Sequence, residues 1–488
     1  MLSRITDDPA TWPSFRDIPE PRMVCFGTGN GSGTKLFQGF LDSHPNIYMV
    51  PVNQLMYLYP HWDQWREELA GNWCWDAIVE RLCINHASLL DSGRIPGHDG
   101  MTTLGDNQDQ CLTIDEQAFR AFLAHILKDE EITTRTFVLA AHYAYAYARG
   151  EDLSLKTVLV YHIHVHEYVR YLKADFPDMH AICFVRDLRA KIKGGYTQNV
   201  GIDKIKHNAT DAAIYLRRTF MNHWRFHIDS LERFRGMNID NIRAVRHEDM
   251  NLRLRELMEA TAKFLEIPFH PCLMENTFGG LKWWGDSLFD MKPMNKPNPR
   301  TVKQLWRDTL PALDCFILEG LAYDYFRLYG FKPDLYTKDT LLNRTLLVLA
   351  LFVPMKYERD ILWTYLSPRY FRDFLKAAVG EANGSIELKD YSFNAFFRHK
   401  WYNQGLNMHI EPAYRRFVRF ARERAAAQGG IYKALSALAQ VNYVVCSLGR
   451  YLYAVCACPF IFLKRSVRSL EAFRRMIQKT EILPRPMI

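Results

Sequence analysis

Residues 27–35 read Gly27-Thr28-Gly29-Asn30-Gly31-Ser32-Gly33-Thr34-Lys35, and this stretch restricts the fold more tightly than any other in the chain. The apolar run Met23-Val24-Cys25-Phe26 stands before it and stops at a glycine, as a buried strand does. After it, Lys35–Ser43 carries Leu36, Phe37, Phe40 and Leu41 at helical spacing. A glycine loop between a strand and a helix belongs to an α/β unit. Its curled backbone turns successive N–H groups toward one anion, and the helix N-terminus and Lys35 add positive charge. A bare glycine turn without ligand is the plainer alternative, and the flanking strand and helix favour a phosphate cradle over it.

Nucleotide hydrolysis of the usual kind does not fit. A Walker loop needs Gly before its Lys and Ser or Thr after, whereas Thr34 precedes Lys35 and Leu36 follows it. The hydroxyl that would hold Mg²⁺ is misplaced, so an atypical magnesium-dependent kinase ranks below the other functions considered. Further along, Ile47–Val50, Ala181–Val185 and Ile242–Val245 read as strands, and Leu252–Leu265 as a helix. Residues 54–148 are mostly helical in pattern, interrupted by a Gly- and Asp-rich loop at 91–107. The expected fold is α/β: a P-loop-like parallel sheet flanked by helices, followed by a mainly α-helical C-terminal module. We divide the chain into a lead-in, 1–21, a catalytic domain, 22–332, and a basic, aromatic-rich module, 333–488.

The charge follows that division. Residues 331–488 carry 25 Lys and Arg against 12 Asp and Glu, whereas residues 1–330 carry 37 against 42. A slightly acidic body with a basic tail argues against nucleic-acid coating and for a module that meets an anionic membrane surface. In the tail, Leu346–Val353 is a dense apolar run, Tyr391–Tyr402 packs six aromatic residues, and Pro412–Arg424 sets Arg415, Arg419 and Arg422 beside Tyr414, Phe417 and Ala421. Between Lys433 and Lys464 the only charge is Arg450. Gln440, Asn442, Arg450 and Pro459 interrupt these apolar pieces, which suits interfacial helices better than a clean span. A soluble helical domain with a solvated basic face is the alternative. The N-terminus has no apolar run of a secretory signal, and the ten Cys are scattered without a CxxC pair, so a cytoplasmic location is expected and the three sequons carry no glycosylation.

Several fragments, in order, resemble the sulfotransferase family. Gly31-Ser32-Gly33-Thr34-Lys35 with His44-Pro45 resembles its nucleotide-binding start, and Lys156-Thr157, Phe176-Pro177 and Phe184-Val185-Arg186-Asp187 resemble its run toward the 3′-phosphate site. Arg246–Met250, Phe264–Pro268 and Trp284–Ser287 resemble three later motifs, so the likeness covers about residues 21–332. It implies sulfuryl transfer from 3′-phosphoadenosine 5′-phosphosulfate (PAPS), without metal, to a hydroxyl or amine. The implied binding residues are Gly29, Asn30, Gly31, Ser32, Gly33, Thr34 and Lys35 for the 5′-phosphosulfate. Arg186, Lys193, Gly194 and Lys282 would serve the 3′-phosphate, with Arg186 offering its planar fork. A salt bridge to Asp187 is the alternative for Arg186.

Three positions depart from the family pattern. Gly31 stands where a cation is usual before Ser-Gly-Thr, and Lys35 is the expected catalytic cation in its place. Gly194 stands where a serine serves the 3′-phosphate, with Lys191 and Lys193 nearby. Asn53-Gln54 replaces a catalytic Glu, and an amide cannot take a proton. His162 is therefore assigned as general base, with His142 and His166 as rivals. On a strand His162, His164 and His166 would share one face and suggest zinc; on a helix, which the family places here, they would spread, and no metal is assigned. The expected acceptor is a carbohydrate or lipid-linked saccharide such as a glycolipid. A degenerate scaffold that binds nucleotide or membrane without turnover is the alternative.

Overall fold

The structure, a computed structural model, describes residues 9–27, 31–52, 54–94, 100–163, 166–191, 239–285, 296–302, 305–308, 310–353, 368–385, 412–449, 452 and 456. Gly29, Asn30, His164, Lys193, Gly194, Asp286 and Ser287, the aromatic stretch 391–402 and the basic stretch from Lys464 lie outside the described residues. The chain forms two units, one holding Met1–Lys191 and Arg225–Leu305, the other Trp306–Glu481.

The first unit is organised by five strands: β1 (Arg22–Gly27), β2 (Ile47–Met49), β3 (Val158–Ile163), β4 (His180–Val185) and β5 (Ile242–Arg246). They pair in the order β2-β3-β1-β4-β5, every pair parallel. Parallel strands are covered on both faces, which is why β1 and β4 read as nearly continuous apolar runs. Four of the five coincide with the short runs legible in sequence. The expected helix start after Lys156-Thr157 is instead β3, where Val158, Val160 and Ile163 suit a pleated surface between β1 and β2.

One face of the sheet packs Val24, Phe26, Val160 and Phe184 against Phe37 and Phe40 of α1 (Thr34–Leu41) and against Leu257 and Met258 of the helix Leu254–Leu265. The rings of Phe26, Phe37 and Phe184 meet at centroid distances of 5.2–5.7 Å. Each such buried ring contributes about 1.5–3 kcal/mol through area removed from water. Against the strands also pack α6 (Thr134–Ala148) and α7 (His166–Asp175), earlier helices being α2 (Leu58–Glu68), α3 (Trp75–Asn85), α4 (Ala87–Leu90) and α5 (Glu116–Leu127). Because β1 is central and its neighbours leave in opposite directions, the crevice beyond its C-terminal end is where such sheets bind ligands.

The second unit is helical. Ala312–Leu321 packs against Leu341–Ala350, with Leu347 over Gly320. Glu319, fully buried between them, accepts the backbone N–H groups of Asp334, Leu335 and Tyr336 at 2.7–3.0 Å. Pro368–Asn383, Pro412–Gln428 and a helix over 431–449 follow. Among the described residues, no helix is long and apolar enough to cross a membrane.

Candidate active site

The glycine loop leaves β1 and enters α1 through two left-handed residues, Gly31 at φ 81° and Gly33 at φ 86°. A side chain at either would be strained. A Cβ on Gly33 would also stand 3.1 Å from His247 Cδ2 and 3.2 Å from Met250 Cε, whereas one on Gly31 would meet nothing within 4 Å. The turn is thus closed against the sheet-end helix on one side and open on the other. Ser32 and Thr34 are buried, and Lys35 is half-buried in the first turn of α1.

Beside the turn, at the end of β4, Arg186 Nη1 donates to the Gly31 carbonyl at 3.1 Å. The Asp187 carboxylate takes a two-pronged bond from buried Arg189, at 3.0 and 2.8 Å. The Asp187 N–H donates to Glu248 Oε1 at 3.1 Å, tying β4 to the helix His247–Leu252 that leaves β5. Burial holds the Lys191 ammonium and the His247 imidazole well below their ordinary values, and the Arg186 charge pushes both the same way. Burial raises the Glu248 carboxyl, against the pull of the Asp187 N–H and Arg186. Cation-capable groups therefore crowd Arg186 at a strand end, an arrangement that an anion with several charges relieves.

His162 lies on β3 at the same end of the sheet, buried, with Nδ1 at 2.9 Å from Gln38 Oε1 and 3.1 Å from the Val52 carbonyl. Gln38 in turn donates its Nε2 to the Val50 carbonyl at 2.8 Å, which leaves Oε1 as acceptor. Both partners accept, so Nδ1 carries the proton and Nε2 the lone pair, the form a general base requires. The strand ends at Ile163 and α7 begins at His166, so His162 and His166 share neither one strand face nor one helix. His142 is enclosed in α6, its Nδ1 on the Val138 carbonyl at 2.7 Å, and burial pushes its pKa down to about 4. Among the described residues, no group of three or more His, Cys, Asp or Glu is arranged to hold a metal.

Gln54 has a role the sequence does not suggest. His86 Nδ1 donates to its carbonyl at 2.6 Å, and His61 Nδ1 lies 3.0 Å from His86 Nε2, so His61 donates to His86. Its side-chain Oε1 accepts from Ser88 Oγ. Burial pushes the His86 pKa down to about 4. No motif marks this chain, because helix packing alone joins positions 61 and 86.

Lys282 stands on the second strand of a short hairpin, Thr277–Phe278 with Leu281–Lys282, and its Nζ reaches Asp106 at 2.5 Å. The same loop fastens the hairpin through Gly105 N to the Lys282 carbonyl at 3.0 Å and Trp284 Nε1 to the Gly105 carbonyl at 2.5 Å. Phe278 and Trp283 pack with Val52, Leu104 and Leu112 beneath it. Lys156 is a framework residue: buried, it donates to the Ile47 carbonyl and pairs with Glu151, both at 2.7 Å.

Comparison with known proteins follows the same region. Residues 30–271 match the model of the sulfotransferase family. Among solved structures, the sulfotransferase domain from the Synechococcus PCC 7002 olefin synthase is similar, with 18% identity over 60% of this chain and 90% of that chain and a TM-score of 0.32. No curated protein matches the sequence.

Proposed function

Residues 30–271 belong to the sulfotransferase family, and from that premise we propose that the chain moves a sulfuryl group from PAPS to a hydroxyl of a carbohydrate or lipid-linked acceptor. The observation that carries the donor assignment is the bond from Arg186 to the Gly31 carbonyl, which sets a strand-end guanidinium beside a left-handed glycine turn. Two anion-binding devices then stand side by side, as a donor with phosphates at both ends of its ribose requires.

The residues fit that donor. The turn is open over Gly31, and the helix N-terminus and Lys35 would hold the 5′-phosphosulfate. Arg186 would hold the 3′-phosphate. When bound, the donor supplies an activated sulfuryl group. Transfer breaks the bond between sulfur and the bridging oxygen and forms one to the acceptor oxygen. His162 Nε2 takes the hydroxyl proton. Lys35 balances the negative charge left on the bridging oxygen, and such positioned charge is the main catalytic lever in transfers of this kind.

The test is transfer of radiolabelled sulfate from PAPS to membrane extracts, alongside calorimetry with 3′-phosphoadenosine 5′-phosphate. Labelled product formed without added metal is expected. Absence of nucleotide binding would overturn the donor assignment. Binding without transfer to any acceptor would discard turnover and leave a nucleotide-binding scaffold.

A further inference from the structure

The helix over 431–449 is built with its apolar side outward. Its sheltered positions are Ser436, Ala439, Tyr443 and Ser447, small or polar residues, with Ser447 at 0% exposure. Ser447 Oγ donates to the Tyr443 carbonyl at 2.8 Å and Gln440 Nε2 to Ser436 Oγ at 3.1 Å, so this face satisfies its own polar groups. Ile431, Leu435, Leu438, Val441 and Val445 point the other way, Leu438 at 67% and Val445 at 59% exposure. At 100° per residue they fill an arc of about 120°, a continuous stripe rather than scattered surface residues. A helix folded for water shelters its leucines and valines and exposes its serines; this one does the reverse, as helices do when lipid takes the place of water.

A second helix of the same unit repeats the pattern. Leu341–Ala350 shelters Leu347 and Ala350 and exposes Leu342, Leu346 and Leu349, with Val353 continuing the row. The charge in and just before this helix in sequence is mainly positive. Residues 412–449 contain six Lys and Arg and one carboxylate, Glu423. Arg419, Arg424 and Lys433 are exposed, with Phe417 and Phe420 exposed among them. No helix among the described residues is long and apolar enough to cross a bilayer, which leaves the plane of its surface for such a stripe.

We propose that the apolar stripe of 431–449, flanked by the arginines of Pro412–Gln428, seats at the headgroup–acyl boundary of a bilayer containing anionic lipid. The aliphatic stripe enters the acyl edge, and Arg419, Arg424 and Lys433 meet lipid phosphates and carboxylates. This surface stands apart from the sulfotransferase assignment, because every residue in it lies in the second unit.

Co-sedimentation of the full-length chain, purified without detergent, with vesicles of phosphatidylcholine alone or mixed with phosphatidylserine tests it. The chain is expected to pellet with the anionic vesicles, less so as salt is raised. The pair Leu438→Asp and Val445→Asp should lower partitioning at least about tenfold with an unchanged unfolding midpoint. The pair Arg419→Ala and Arg424→Ala, which leaves the stripe intact and keeps the test decisive if the aspartates unfold the chain, should lower it about 5- to 30-fold on anionic vesicles only. A wild-type chain that stays in the supernatant with anionic vesicles overturns the proposal. So does stripe-variant partitioning equal to wild type, or a stripe that instead joins two copies, seen as a dimer lost on Leu438→Asp in a chain indifferent to vesicles.

Discussion

Arg186 and Gly31, 155 positions apart in sequence, are joined by a 3.1 Å hydrogen bond from guanidinium to carbonyl. The bond fixes the strand-end guanidinium against the glycine turn. Arg186→Ala is therefore expected to weaken 3′-phosphoadenosine 5′-phosphate binding on the order of 10- to 100-fold, the usual weight of charge-assisted hydrogen bonds. Calorimetry reads it. An unchanged affinity would remove Arg186 from the phosphate site.

The two left-handed glycines separate strain from crowding. Gly31→Ala is expected to cost roughly 1–2 kcal/mol from its positive φ alone. Gly33→Ala should cost about 1 kcal/mol or more beyond that, because its Cβ presses on His247 and Met250. Urea unfolding of both variants gives the comparison, and equal losses would contradict the packing around Gly33.

Glu266 sits at φ 54° just past the helix Leu254–Leu265, in the position where a helix favours glycine. Its carboxylate reaches Arg22 Nη2 at 2.6 Å, but the Glu266 side chain is 68% exposed, so the pair is worth little. Glu266→Gly should stabilise the chain by about 0.5 kcal/mol as relief of strain outweighs the lost ion pair. A clear loss in a thermal melt would assign the ion pair a larger share.

Burial of neutral histidines makes the fold sensitive to acid. His86 and His142 are pushed down to about 4, and burial also lowers His44 and His61. Between the ordinary histidine value near 6.5 and about 4, the unfolded chain binds protons that the native chain refuses. Stability should therefore fall as pH drops through that window, by on the order of 3 kcal/mol for each of His86 and His142. Denaturant midpoints from pH 7 to pH 4 read the slope, and His142→Phe should flatten it. A slope unaltered by that change would mean that His142 is protonated in the native state.

How far the sequence reveals this architecture depends on whether a feature is local. The glycine loop is legible because its strand, turn and helix are contiguous, and β1, β2, β4 and β5 stand out as short apolar runs. Motif fragments also converge in space: His44, of the His-Pro pair, lies with Nε2 3.0 Å from the Pro268 carbonyl of the later Leu-Glu-Ile-Pro run. β3 is harder to see, since Tyr161 and His162 break its apolar pattern and only pairing with β1 and β2 makes it a strand. Arg189 clamping Asp187, and His61 donating to His86, are products of packing. No periodicity announces them.

The strand order β2-β3-β1-β4-β5 also has a temporal meaning. During synthesis β1 leaves the ribosome first, yet its two partners begin at Val158 and His180, more than a hundred residues later. Until then Met23-Val24-Cys25-Phe26 is an apolar strand with both edges open, the kind of segment that pairs with strangers. The central position that pairs β1 on both edges in the finished sheet makes it the longest-waiting strand of the nascent one. Shelter for β1, by a chaperone or by early collapse onto α1, is thus a condition of this topology rather than an accessory to it.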